Sequence, residues 1–143
     1  MKKIGVATLL VVFMVIPLAV FGQQSHDILF KKLMASTDDF VGKNITLECL
    51  FWNLDSHFLN GGGARYSPPA GERIYFSSTQ YLGFTIWSAT KKAFLMHLFI
   101  KKAKGEILYE LNENDRITIR GKVTSSYNGA PWIEVYEIKK GWE

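Results

Sequence analysis

The stretch that most constrains the fold is Leu111-Asn-Glu-Asn-Asp-Arg-Ile-Thr-Ile-Arg-Gly-Lys-Val123, followed after a polar turn by Pro131-Trp-Ile-Glu-Val-Tyr-Glu-Ile138. Apolar and polar residues alternate in both segments, which sends successive side chains to opposite faces of a strand. The cluster Asn112 to Asp115 turns the chain into the first of them, because Asn114 or Asp115 can bond back to nearby backbone. Ile117, Ile119 and Val123 share one side of that strand. Gly121 falls on the same side, where the absence of a Cβ lets a strand coil tightly. A loop rich in Ser, Asn and Gly joins the two strands. A chain that ends this way closes a small β structure.

Upstream, Ser25 to Phe40 has the spacing of a helix, with Ser25 as its cap, Asp27 in its first turn and Ile28, Leu29, Leu33 and Met34 as an apolar stripe. Asn44 to Trp52 alternates as a strand, with Ile45, Leu47, Cys49 and Phe51 facing one way. Periodicity is then lost across a long loop, 53–71, which contains Gly61-Gly-Gly63 and Pro68-Pro69. Arg73 to Phe76 is a short candidate strand, and Gly83 to Ser88 a stronger one. After the turn Ala89 to Lys92, Ala93 to Lys101 returns as a strand. Here Phe94, Met96, Leu98 and Ile100 alternate with Leu95, His97, Phe99 and Lys101. Both faces of this run are apolar, so a buried helix competes with the strand. Lys104 to Leu111 reads as a short helix.

The N-terminus is a separate matter. Lys2 and Lys3 precede an apolar run from Ile4 to Phe21, and Gly22 offers a small exit residue before polar sequence starts at Gln23. A basic start, apolar run and small exit predict a signal peptide over residues 1–22. The run is also about the minimum length for crossing a bilayer, so an uncleaved anchor over residues 4–21 is the second reading. Both put the folded part outside the cytoplasm, secreted or periplasmic. The organisation expected is thus 1–22 signal or anchor, 23–43 an N-terminal helix and 44–143 a β barrel.

After the N-terminal helix, the order strand, hairpin of two strands, short helix and two closing strands is that of the oligonucleotide/oligosaccharide-binding (OB) fold. The residues carrying the resemblance are Phe40-Val-Gly-Lys-Asn-Ile-Thr-Leu47, then Leu111 with Asp115, Ile117, Ile119, Gly121 and Val123, and finally Trp132-Ile with Val135. In these the chain resembles secreted bacterial OB-fold proteins and, more loosely, nucleic-acid-binding domains with a tRNA-anticodon-like OB barrel. The resemblance covers roughly Asn44 to Ile138. It implies a mainly β, five-stranded OB-like barrel with an N-terminal helix and a short helix before the fourth strand. It implies binding on the face of the second and third strands, flanked by the loops after the first and fourth.

Candidates on the outer side of the strands are Trp87, His97, Phe99, Arg120, Lys122, Trp132 and Tyr136, with Trp52 and Tyr127 near the loops. Aromatic rings interleaved with cations stack bases or sugars and hold phosphates. The expected ligand-binding set is therefore Trp87, Phe99, Arg120, Lys122, Tyr127 and Trp132. The bland alternative is that the helix or the long loop covers these rings. A one-residue slip in the second strand would exchange Trp87 for Phe84 and Ile86.

The charge balance tempers a polyanion partner. Net charge is +4, but without Lys2 and Lys3 fifteen basic side chains face thirteen acidic ones. The single cysteine, Cys49, forms no internal disulfide and reads as a small buried apolar residue. The three histidines, His26, His57 and His97, are far apart, and no metal-ligand spacing occurs. Gly61-Gly-Gly63 lacks the Gly-Lys-Ser/Thr of a phosphate cradle. No nucleophile elbow or carboxylate pair organises a reaction. The expected function is non-catalytic binding without a cofactor. Its partner is an anionic polymer (nucleic acid or acidic glycan), a glycan more broadly, or an envelope protein. A small enzyme built around His97 with Asp55 or His57 is the remaining alternative.

Overall fold

The computed structural model describes residues 18–55, 76–126 and 129–143. Five strands form a closed barrel in the order β1-β2-β3-β5-β4 and back to β1: β1 Asn44–Leu54, β2 Tyr81–Ser88, β3 Phe94–Lys101, β4 Arg116–Ser125 and β5 Trp132–Lys140. All neighbours are antiparallel except β3 and β5, which run parallel over Leu98–Ile100 and Ile133–Val135. This is the OB-like barrel expected. Helix α1 covers Leu18–Ala35, α2 covers Thr37–Phe40, and two 3₁₀ turns, Lys102–Lys104 and Glu106–Glu110, precede β4.

The alternation read from the sequence builds the core. Ile45, Leu47, Cys49 and Phe51 of β1 meet Leu82, Phe84 and Ile86 of β2 and Ile117, Ile119 and Val123 of β4, all buried. The second strand takes the register that keeps Phe84 and Ile86 inside and Trp87 outside. Cys49 is buried within this core, and burial pushes its thiol well above the ordinary range. A thiol held protonated is a poor nucleophile, so Cys49 acts as packing.

Gly121 sits where β4 crowds β5. A Cβ there would lie 2.6 Å from the Glu134 carbonyl oxygen and 2.9 Å from Ile133 Cγ2, and the β4–β5 register shifts between Arg120 and Gly121. The glycine is needed for space, a close approach of β5 that the strand pattern, which pointed only to tight coiling, did not show.

One barrel end is closed by α1, which drives Phe30 and Leu33 into the core. Buried Asp27 ties the helix to the β2–β3 turn through the backbone N–H (3.3 Å) and hydroxyl of Thr90. Thr37 anchors the following turn, its hydroxyl lying 2.8 Å from the Leu33 carbonyl oxygen and 3.2 Å from that of Gly129. Ser25 is not a cap: α1 is already helical from Leu18, so Ser25 falls inside it and a break at Ser36 ends it. The 3₁₀ turns bring buried Leu108 into the same core. Among the described residues, no helix is long and apolar enough to cross a membrane.

The strand Phe94–Lys101 is extended, in keeping with its short length and its aromatic Phe94 and Phe99, and not a buried helix. Its alternation is broken, however. β2 pairs Phe84 with Leu98 but Ile86 with Leu95, so Met96 and His97 together oppose the single residue Thr85. That is a β-bulge, and it turns Leu95 inward and puts Phe94 and Met96 outside. The simple alternation had paired Phe94 and Met96 with the inner Leu98 and Ile100. On the other side of β2, β1 pairs Phe51 with Ile86 and Asn53 with Thr85, leaving Trp52 as a second extra residue. Two bulges thus flank Thr85.

Candidate ligand-binding face

The two bulges shape the outer face of β1, β2 and β3. Trp52 is displaced outward at its bulge and stacks on Trp87 of β2, ring centroids 4.4 Å apart and planes inclined by 27°. Phe94, directly opposite Trp87 across the β2–β3 ladder, sets its edge against both indoles at 5.6 and 5.8 Å. Offset and edge-on rings place positive ring edges against negative ring faces, which holds the cluster together. Phe94 remains 43% exposed and its neighbour Met96 54%.

Phe94 and Met96 form a ridge between two hollows. One, about 330 Å³, is lined by Trp52, Asn53, Leu54, Asp55 and Thr85 together with the ridge. The other, about 300 Å³, adds Met34 of α1, Lys92, His97 and Pro131. Hollows of this size lie at the lower end of small-ligand sites.

His97 bridges this open region to a closed one. Its ring stacks on Trp132 at 4.4 Å, with planes 11° apart. Burial lowers its pKa from the ordinary value, while the Asp55 carboxylate pulls it partway back up. His97 is therefore neutral at neutral pH, and protonation of the unfolded chain begins first as pH falls. The contribution to stability is complete above about pH 6.5, the ordinary imidazole value, and drains away below it. Urea midpoints should show the wild type losing ground to His97→Gln between pH 7 and pH 5. Parallel curves would mean that His97 titrates alike in both states.

Beyond His97 the rings are sealed. Phe99 is 2% exposed, with Phe76 stacked on it at 4.3 Å and Trp132 at 5.5 Å. Tyr81 meets Phe76 edge-on at 5.1 Å, and its hydroxyl donates to Glu134 at 3.1 Å. Burial, and then that carboxylate, raise the Tyr81 pKa. Phe76, Phe99 and Trp132 make a second small core on the outside of the barrel.

Of the sequence candidates, Trp87 lies in the open cluster. Phe99 and Trp132 lie under the Phe76 roof. Arg120 and Lys122 are on β4, which neighbours β1 and β5 and not β2 or β3. Arg120 is engaged by Glu143 at 3.0 Å and Glu137 at 3.3 Å, and Lys122 is exposed opposite Glu134 of β5. The cations therefore do not interleave with the open rings. Tyr127, His57, Arg73 and residues 56–71 of the long loop lie outside the described residues.

Trp52, Phe94, Met96 and Asp55 complete the open face. Period-two reading missed Phe94 and Met96 because the bulge inverts them. An outer face of β1 and β4 is meanwhile covered by the C-terminal segment. Trp142 packs between His26 of α1 (4.4 Å) and the Arg116 guanidinium (4.5 Å), and donates its indole N–H to the Cys49 carbonyl at 2.9 Å. His26 also pairs with Glu48, which accepts from the Glu143 backbone N–H at 2.9 Å. Comparison of the sequence with protein-family models and with curated proteins found no match.

Proposed function

We propose that this chain is a non-catalytic OB-fold binding protein, secreted or periplasmic, that engages a polymeric ligand, nucleic acid or glycan, across the outer face of β1, β2 and β3. The observation carrying this reading is the double bulge about Thr85, which gathers Trp52, Trp87, Phe94 and Met96 on one surface. Large apolar side chains grouped in the open mark interaction sites, whereas isolated ones do not. A hollow on each side of the Phe94–Met96 ridge gives the face room for more than one unit of a chain. The basic and apolar N-terminal segment supports a place outside the cytoplasm.

A second reading, an envelope protein contact, draws support from exposed Met96, since methionine adapts to varied partner surfaces. Titration of tryptophan fluorescence with single-stranded DNA and with acidic and neutral glycans, at low and high salt, separates the two. Quenching by a polymer is the expected result. Silence with every polymer would sink the polymer reading and leave the protein contact.

A further inference from the structure

We infer that the α1-capped end of the barrel docks on an anionic lipid bilayer, with Lys31, Lys32, Lys91 and Lys92 at the headgroups and Ile28 and Met34 at the acyl boundary. This concerns the end of the barrel, whereas the ligand reading concerns its wall.

Two elements bring the lysines together. α1 turns Phe30 and Leu33 into the core, so Ile28, Lys31 and Lys32 stand on its exposed side. Asp27, Lys31 and Met34 follow one another at helical spacing along one flank. Asp27 bonds Thr90 in the β2–β3 turn, and Met34 shares a hollow with Lys92. Lys31 lies between those two contacts, beside the exposed turn lysines Lys91 and Lys92. Among the described residues, none of the four lysines makes an ion pair.

The charge is one-sided. On α1 and α2 the acids are buried Asp27, Asp38, which accepts from the Ser126 hydroxyl, and Asp39. At the opposite end, Glu106, Glu110, Glu113 and Asp115 outnumber Lys102 and Lys104. The residues outside the described set carry Glu72 as their single acid, against Lys2, Lys3, Arg65 and Arg73, so they do not neutralise the lysine cluster. The negative surface of an anionic leaflet attracts such a cluster.

A polyanion in solution would need only the cations. Ile28, Met34 and Val41 are exposed among them, while Tyr109 is the one large apolar side chain exposed at the opposite end among the described residues. Apolar side chains at a bilayer surface settle at the acyl boundary, while neighbouring lysines reach up to the phosphates. The apolar run Ile4 to Phe21 also enters α1, whose helix begins at Leu18. The segment that reads as signal or anchor thus leads into this same end.

The test uses the full chain with nanodiscs of phosphatidylcholine, alone or with added phosphatidylglycerol, each carrying a gadolinium-chelate lipid. Paramagnetic broadening is read at the Met34 methyl and at the Tyr109 ring of the opposite end. The expected result in anionic discs is severalfold greater broadening at Met34 than at Tyr109, fading as salt rises. Lys31→Glu with Lys92→Glu should bring Met34 down to the level of Tyr109. Lys102→Glu with Lys104→Glu makes the same change of charge at the opposite end and should leave the contrast intact. All four positions are exposed, and thermal melts check that both variants fold.

Equal broadening at Met34 and Tyr109, or equal losses in the two double variants, would overturn this end as the docking surface. Broadening at Met34 that neither phosphatidylglycerol nor Lys31→Glu with Lys92→Glu alters would show that the N-terminal segment alone holds the barrel there, and would overturn the role of the lysines. A silent Met34, with oligo-dT binding that Lys31→Glu with Lys92→Glu abolishes, would assign the lysines to a nucleic acid and overturn the lipid. Each of these outcomes leaves the polymer titrations of the open face to be read by themselves.

Discussion

Gly121→Ala should lower the stability of this protein by about 2 to 3 kcal/mol, and Gly121→Val by more, although alanine adds one methyl group. At an ordinary strand position, exchanging glycine for alanine or valine is neutral or favourable, because glycine loses the most entropy on folding. Here the added carbon would sit 2.6 Å from the backbone oxygen of Glu134, 2.9 Å from Ile133 Cγ2 and 3.1 Å from the Val135 Cα. Two of these three atoms are backbone, so relief requires β5 itself to move. The β4–β5 ladder carries the register shift at this point, and β5 also closes the barrel against β3 over only three residue pairs. A displaced β5 therefore strains both of its seams. Thermal unfolding should show a fall of roughly 10 °C for the alanine variant, given about 4 °C per kcal/mol at this chain length. A Tm within about 2 °C of the wild type would mean that the strands yield without cost.

The second large effect separates the two aromatic clusters. Trp52→Ala and Phe94→Ala should each weaken polymer binding by roughly ten- to a hundredfold, since one stacked ring contributes about 1–3 kcal/mol. Phe94→Ala should change stability little, because the side chain is already substantially solvated. Phe76→Ala should behave in the opposite way. Its ring is 1% exposed and stacks on Phe99, so its removal opens a cavity costing roughly 3 kcal/mol or more. Affinity should survive that loss wherever the protein remains folded. Equal losses of affinity for Phe76→Ala and Phe94→Ala, measured well below the melting temperature of both, would show that the sealed and open rings are not functionally distinct.

The barrel was legible in the sequence for a plain physical reason. Ile117, Ile119, Gly121 and Val123 face one buried interior, so burial writes a period of two into the chain. The same holds for Ile45, Leu47, Cys49 and Phe51, and the register of β2 follows once Phe84 and Ile86 take the inside. The face was legible only in part. Trp87 keeps the strand period and was found. Phe94 and Met96 lie beside a bulge, where one extra residue inverts the pattern, and nothing local in Phe94-Leu-Met-His97 announces it. Phe99 and Trp132 do point outward, but Phe76 reaches them from far away in sequence, and such a roof leaves no periodic trace. Arg120 and Lys122 also point outward, yet strand order puts them on the wall away from the open rings. Direction from the barrel axis can be read from alternation; position around it depends on which strands pair.

The central claim is that the outer face of β1, β2 and β3 is the ligand surface, and the four tryptophans report on it separately. Trp52 and Trp87 stack in the open, Trp132 lies under the Phe76 roof, and Trp142 is held on the β1–β4 wall by His26 and Arg116. The direct measurement is the shift of the four indole N–H resonances of the isotope-labelled protein as the tightest-binding polymer from the titrations is added. The account predicts large, saturable shifts at Trp52 and Trp87 and a still Trp142. Shifts confined to Trp142, with Trp52 and Trp87 unmoved, would place the ligand on the opposite wall and contradict it.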